Sequence, residues 1–185
     1  MASVSQTPIP SKVKLSKFKF ATPRDADPTD TICIWDEKAL ETQSWKAFGI
    51  KGLDNLENLY YALISMLRTH YKKIENNSKF PQKSLNTFLA SLNQADLDVL
   101  DEKYKIATDP EQSHKMGQLE LHLVLVDKYP RIGIFLKAED DGAFITGIHL
   151  FSSELLSLLK WMNQFYGIGN TQFKVYDITK DFKFF

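Results

Sequence analysis

The chain predicts an α+β fold. An antiparallel sheet comes from its C-terminal third, with the N-terminal strands as candidate further members. That sheet packs against a C-terminal helix and a central helical region. Three observations carry this. Leu119–Val126 (LELHLVLV) and Arg131–Ala138 (RIGIFLKA) alternate side chains with the period of a half-buried strand. Turn-forming words, DKYP and EDDG, follow each of them. The stretches after Asp54 and after Ser152 instead repeat apolar residues three and four apart, the spacing of one helix face.

Residues 1–11 are small, polar and proline-containing and read as a disordered tail. Residues 12–185 then form one α+β domain, with a helical subregion at 36–107 and a sheet–helix subregion at 118–185. Lys12–Phe20 (KVKLSKFKF) has strand composition. Val13 and Leu15 share one face while Phe18 and Phe20 fall on the other, a slip that a bulge at Ser16–Lys17 repairs. Thr31–Trp35 is a short strand candidate after the loop Ala21–Asp30. Asp36 is placed to cap a short helix running to Phe48, with Gly49–Gly52 as its end.

Asp54, with Glu57 three residues on, has capping-box spacing. Leu56, Leu59, Tyr60, Leu63, Met66, Leu67, Tyr71 and Ile74 follow as a core stripe. Ser84–Leu92 and Gln94–Tyr104 are shorter helices. Asn93 caps the second, whose outer face carries Asp96, Asp98, Asp101 and Glu102. Thr108–Gly117 is a polar linker. In AFITGIHL (143–150) both faces are mostly apolar, which suits a central strand. Ser152 caps the last helix, and Leu155, Leu158, Leu159, Met162 and Phe165 form its stripe. Gly167-Ile168-Gly169 ends it, and Thr171–Ile178 is a last strand.

Composition removes several classes. The hydrophobic fraction of 43%, with 13 Phe, 7 Tyr and 3 Trp, belongs to a globular chain. Cys33 is alone, so no intrachain disulfide and no cysteine-rich zinc site can form. The first twenty residues lack the apolar core of a signal peptide, and no apolar run approaches the roughly 18 residues of a membrane span. The chain reads as soluble and intracellular, cytoplasmic or nuclear.

A zero formal net charge argues against an unspecific polyanion binder and leaves room for a local basic stripe. No phosphate-binding loop and no nucleophile elbow is present. The expectation is a non-enzyme with no cofactor. Glu120, His122 and His149 make a metal site geometrically conceivable. Lone histidines on a half-exposed sheet are more often structural, so none is expected.

One face deserves a functional reading. If the helix covers Leu119, Leu121, Leu123 and Leu125, the opposite face shows His122, Arg131, Phe135 and Lys137, joined by Lys174 and Tyr176 from the last strand. Cations neutralise phosphates, and rings stack on unpaired bases at about 1–3 kcal/mol each. A mixed solvent-facing surface is the plainer alternative. Lys12, Lys14, Lys17, Lys19 and Arg24 stand together without an acid. They suit a phosphate-binding arm or a lysine-protected edge strand.

Residues Gln118 to Phe165 resemble the positive-cofactor-four type of single-stranded DNA-binding domain, which is related to the Whirly folds. The matching words are KYPRIGIFLKA, the EDDG turn and TGIHLFSSELLSLLKWM. The resemblance implies antiparallel strands leading through Gly147-Ile148-His149-Leu150 into a dimer-forming helix at Ser152–Met162, with Arg131 and Lys137 as strand cations. It implies single-stranded DNA or RNA as partner and a homo-oligomer. The chain differs from the family in its long preceding helical region and its further strand after the helix. A second class is a structural or assembly protein, such as a viral matrix or capsid-associated protein. For it the aromatic C-terminus matters: Phe182, Phe184 and Phe185 either dock in their own core or anchor in a partner.

Overall fold

The axis of the core is helix α1 (Leu53–Thr69). Leu59 to Leu67 are buried without a break, so α1 is enclosed beyond a single stripe. Such a helix needs neighbours on several sides. It has β3 (Thr31–Asp36) and β4 (Ala47–Lys51) from one sheet, β6 (Leu119–Val126) and β7 (Tyr129–Lys137) from a second, and the last helix, α4 (Ser152–Tyr166). The one polar residue in that run, Ser65, donates its hydroxyl hydrogen bond to the Tyr104 carbonyl at 2.5 Å. The computed structural model describes residues 12–14, 18–21, 31–36, 47–70, 83–104, 113–116, 119–126, 129–137, 144–150, 152–172 and 183–184.

The fold is α+β. The C-terminal strands form an antiparallel sheet, ordered β5-β6-β7-β8, with β5 at Ser113–Met116 and β8 at Phe144–Leu150. Leu121, Ile132, Ile134, Ile148 and Leu150 are buried on its inner face, where α1 and α4 pack. The N-terminal strands build a separate sheet, ordered β4-β3-β2-β1-β9. It contains β1 (Lys12–Lys14), β2 (Phe18–Ala21) and the C-terminal β9 (Lys183–Phe184). The two sheets meet where β4 lies beside β8. Helices α2 (Lys83–Ala90) and α3 (Gln94–Lys103) complete the elements described. Their positions match the expected helices at 84–92 and 94–104, and Asn93 caps α3 by accepting from the Asp96 amide at 2.9 Å.

Several local expectations change. The Lys12–Phe20 segment is two paired strands and not one bulged strand: Val13 stands opposite Phe20. The phase slip is therefore the change of strand. The two ends of the helix expected from Asp36 to Phe48 belong to strands: Asp36 ends β3, and Ala47 and Phe48 begin β4, paired across Ile34↔Phe48 and Ile32↔Ile50. Residues 37–46 lie outside the described residues. Gly52 occupies the N-cap of α1 with φ 97, a left-handed conformation that glycine adopts readily. Asp54 sits one position inside the first turn, where the helix dipole favours its charge.

Ser152 is likewise the first residue of α4. The linker expected at 108–117 contains β5, held by the ladder Ser113↔His122 to Met116↔Leu119 rather than by an apolar pattern. Strand β8 is at the edge of its sheet and not central, with β4 of the first sheet beside it. Thr171 and Gln172 belong to no strand. The rest of the expected last strand, the N-terminal tail, and Tyr71 and Ile74 of the helix stripe lie outside the described residues.

Candidate nucleic-acid interface

The alternation of β6 and β7 sends one set of residues inward and the other to the outer face. The ladder aligns that outer set: Glu120 opposes Phe135, Val124 opposes Arg131, and His122, Gly133 and His149 stand in one row across three strands. Directly opposed residues share a face. Arg131, Phe135, Lys137 and His122, singled out in the sequence, are therefore brought together, and Glu120 and His149 join them.

Glu120 is the hub. It is only 4% exposed. One carboxylate oxygen accepts from Lys137 Nζ at 2.6 Å and the other is 2.8 Å from His122 Nε2. Burial alone pushes its carboxyl up. The Lys137 and His122 hydrogen bonds, helped by the lysine charge, overcome this and hold it below the usual carboxylate range. Lys137 is therefore a neutralised cation in the ligand-free protein. Arg131 Nη1 lies 3.1 Å from His149 Nδ1.

Phe135 does not stand away from the sheet. Its ring meets His122 edge-on, with centroids 5.4 Å apart and planes at 82°. It also covers Gly133, where a Cβ would come within 2.9 Å of the Phe135 Cζ. Gly133 thus lets the ring lie over the backbone, an aromatic covering a strand glycine. Among the described side chains this face carries one ring, two imidazoles and two cations against one carboxylate, and the register sets Lys115 of β5 opposite Glu120. Among the described residues, no group of three potential ligands could hold a metal ion. Glu120 and His122 bond each other, and His149 is two strands from His122 across Gly133.

The remaining predicted residues do not join this face. Lys12 and Lys14 lie on β1 and Lys19 on β2, in the other sheet. Phe184 is on β9, opposite Val13. Lys17, Lys174, Tyr176, Phe182 and Phe185 lie outside the described residues.

A second polar cluster went unread in the sequence, because Asp96 looked like a solvated outer residue. It is fully buried. Its Oδ1 accepts from Tyr61 Oη at 2.6 Å, from the Asn170 amide at 2.9 Å and from Asn170 Nδ2 at 3.2 Å. Its Oδ2 accepts from the Thr171 amide at 2.8 Å and from the Thr171 hydroxyl. Burial pushes the Asp96 carboxyl up, and the Thr171, Tyr61 and backbone hydrogen bonds outweigh it, leaving it below its ordinary value. Burial, then the neighbouring Asp96, holds the Tyr61 phenol above its own.

A carboxylate has about four lone-pair sites. Five donors saturate Asp96, which leaves no capacity for a substrate. It is a clamp. It ties α3 to the turn after α4, whose glycines Gly167 and Gly169 have φ 69 and 84. From the other side, Asn163 Nδ2 donates to the Ile168 carbonyl at 2.7 Å and the Thr171 carbonyl at 2.9 Å. The clamp fixes the helix on which the sheet rests. The only advance signal was the Asn93 cap three residues before Asp96.

No family model, no curated protein and no solved structure matches this chain. Among the described residues, no helix is long and apolar enough to cross a membrane.

Proposed function

We propose that this chain is a non-enzymatic, intracellular protein that self-associates and binds single-stranded nucleic acid on the outer face of the second sheet. One observation supports the reading above the others. The inner face is apolar and covered by helices, while the outer face gathers Arg131, Lys137, His122, His149 and Phe135 with, among the described residues, one carboxylate, Glu120. Arg131 and Lys137 contact phosphate, and Phe135 offers a ring to an unstacked base. Lys12, Lys14, Lys17, Lys19 and Lys174 extend the phosphate contacts, and Tyr176 adds a second ring. The strand–strand–strand–helix order, like that of the positive-cofactor-four domains, agrees with this.

The test is a fluorescence-anisotropy titration with a labelled oligothymidylate at about 50 and 200 mM salt. Binding at the lower salt that weakens at the higher supports the proposal. No binding at the lower salt removes it.

A second reading, assembly through protein contacts, has its own observation. The C-terminal β9 closes one edge of the first sheet through only two register pairs, Val13↔Phe184 and Lys14↔Lys183. So short a strand can be traded for that of a second copy, with Phe182, Phe184 and Phe185 as anchors. Light scattering of the full chain beside a truncation lacking 181–185 decides this. An unchanged oligomeric state counts against the tail.

A further inference from the structure

The hydrogen bond between Arg131 Nη1 and His149 Nδ1, 3.1 Å long, has a direction set by chemistry. A guanidinium carries donors and no acceptor. Nδ1 must therefore accept, so His149 is neutral, with its proton on Nε2. Protonating the ring ends the bond. Nδ1 then carries a hydrogen of its own, and the ring carries a charge of the same sign as Arg131. One attractive contact becomes two adjacent cations on the outer face.

Among the described residues, the charges of the strands around His149 do not cancel that change; β4, beside β8, carries Lys51 and no acid. From β6 come Glu120 and His122, and from β7 Arg131 and Lys137. From β5, the register sets Lys115 opposite Glu120 and Ser113 opposite His122. The single carboxylate in this set, Glu120, is two strands from His149 and already holds Lys137 and His122. The net charge of the face therefore rises when His149 takes a proton. Histidine is the side chain whose ordinary titration falls between pH 5 and 8.

We propose that the Arg131–His149 pair makes this face proton-sensitive: protonation of His149 ends its bond to Arg131 and strengthens the hold on a phosphate backbone. This rests on the nucleic-acid reading above and adds its regulation. The gain is one phosphate contact. At a single-strand slope of about 0.7 per phosphate, that contact makes binding at 50 mM salt eightfold tighter.

The experiment measures anisotropy of a rhodamine-labelled oligothymidylate with the full chain, at low salt and at about pH 7.5 and 5.5. His122→Gln, which removes the other imidazole of this row, tightens roughly eightfold on acidification. Adding His149→Gln, whose amide can still accept from Arg131 but cannot gain a proton, makes binding alike at both pH values. A double variant that tightens as His122→Gln does overturns the proposal.

If the wild type binds at neither pH, the nucleic-acid reading has failed, and the pair is judged without ligand by imidazole nitrogen shifts at about pH 8. His149 protonated at Nε2 alone, with that preference lost in Arg131→Leu, upholds the pair. A ring protonated at Nδ1 overturns it.

Discussion

Replacing Glu120 by glutamine separates two effects that one buried carboxylate produces. Glu120 accepts from Lys137 at 2.6 Å and lies 2.8 Å from His122 while almost fully buried. Hydrogen bonds to charged groups contribute about 1.5–3 kcal/mol each. The Lys137 side chain is 31% exposed, so solvent screens its share toward the lower end. Glutamine keeps one acceptor oxygen and turns an amide donor toward the other cation, so one bond is lost and one weakened. The expected stability loss is about 1–3 kcal/mol, read as a lower urea midpoint by circular dichroism.

The same change raises the charge of the outer face by one and ends the ion pair of Lys137 with Glu120. One more phosphate contact makes single-strand binding at 50 mM salt about eightfold tighter. The variant should be less stable and bind better, a pairing that a damaged fold cannot produce. A folded Glu120→Gln protein that binds no more tightly than wild type refutes the idea that Glu120 restrains the cations. An unchanged urea midpoint refutes its structural part.

Three further outcomes follow from the geometry. Asp96→Asn presents an amide donor to donors already in place, and the protein should lose about 2–4 kcal/mol in chemical denaturation through unsatisfied Thr171, Asn170 and Tyr61 groups. Acid should destabilise the fold in a defined window. Asp96 and Glu120 are both held below their ordinary values, about 3.9 and 4.3 in an unfolded chain, so the unfolded state binds protons more readily. Their contribution is complete above those values and is lost as pH falls through the folded ones, which urea midpoints between about pH 6 and 3 will show. Gly133→Ala drives a methyl into the Phe135 ring and should lower stability by about 1–3 kcal/mol in thermal denaturation, weakening oligonucleotide binding as well.

Where burial followed local period, the sequence was a sufficient guide. Leu119, Leu121 and Leu123 of β6, Ile132 and Ile134 of β7 and the described residues of the α1 and α4 stripes face the core as their spacing requires. What escaped depended on partners distant in the chain. Asp96 sits among acids on a helix, and nothing local indicates that residues 170 and 171 supply its donors.

The strand change between β1 and β2 escaped for another reason. Leu15-Ser16-Lys17 carries no glycine, proline or asparagine to mark it. The strand character of Asp36, Ala47 and Phe48 was set by β3–β4 pairing, a choice made by backbone partners and not by periodicity. The outer face was half legible. Alternation put Glu120 and His122 together and Arg131 with Phe135, but the row His122, Gly133, His149 needed the register between strands. That register turned a set of cations into two specific pairs, Lys137 with Glu120 and Arg131 with His149.

Phosphate binding by the outer face is tested most directly by its salt dependence. The apparent dissociation constant for an oligothymidylate, measured across salt for the wild type and for an Arg131→Gln, Lys137→Gln double variant, should rise with salt in both. The double variant should show a log–log slope smaller by about 1.4, two contacts at 0.7 each. A folded double variant with the wild-type slope and affinity would place any binding elsewhere and contradict the assignment of this face.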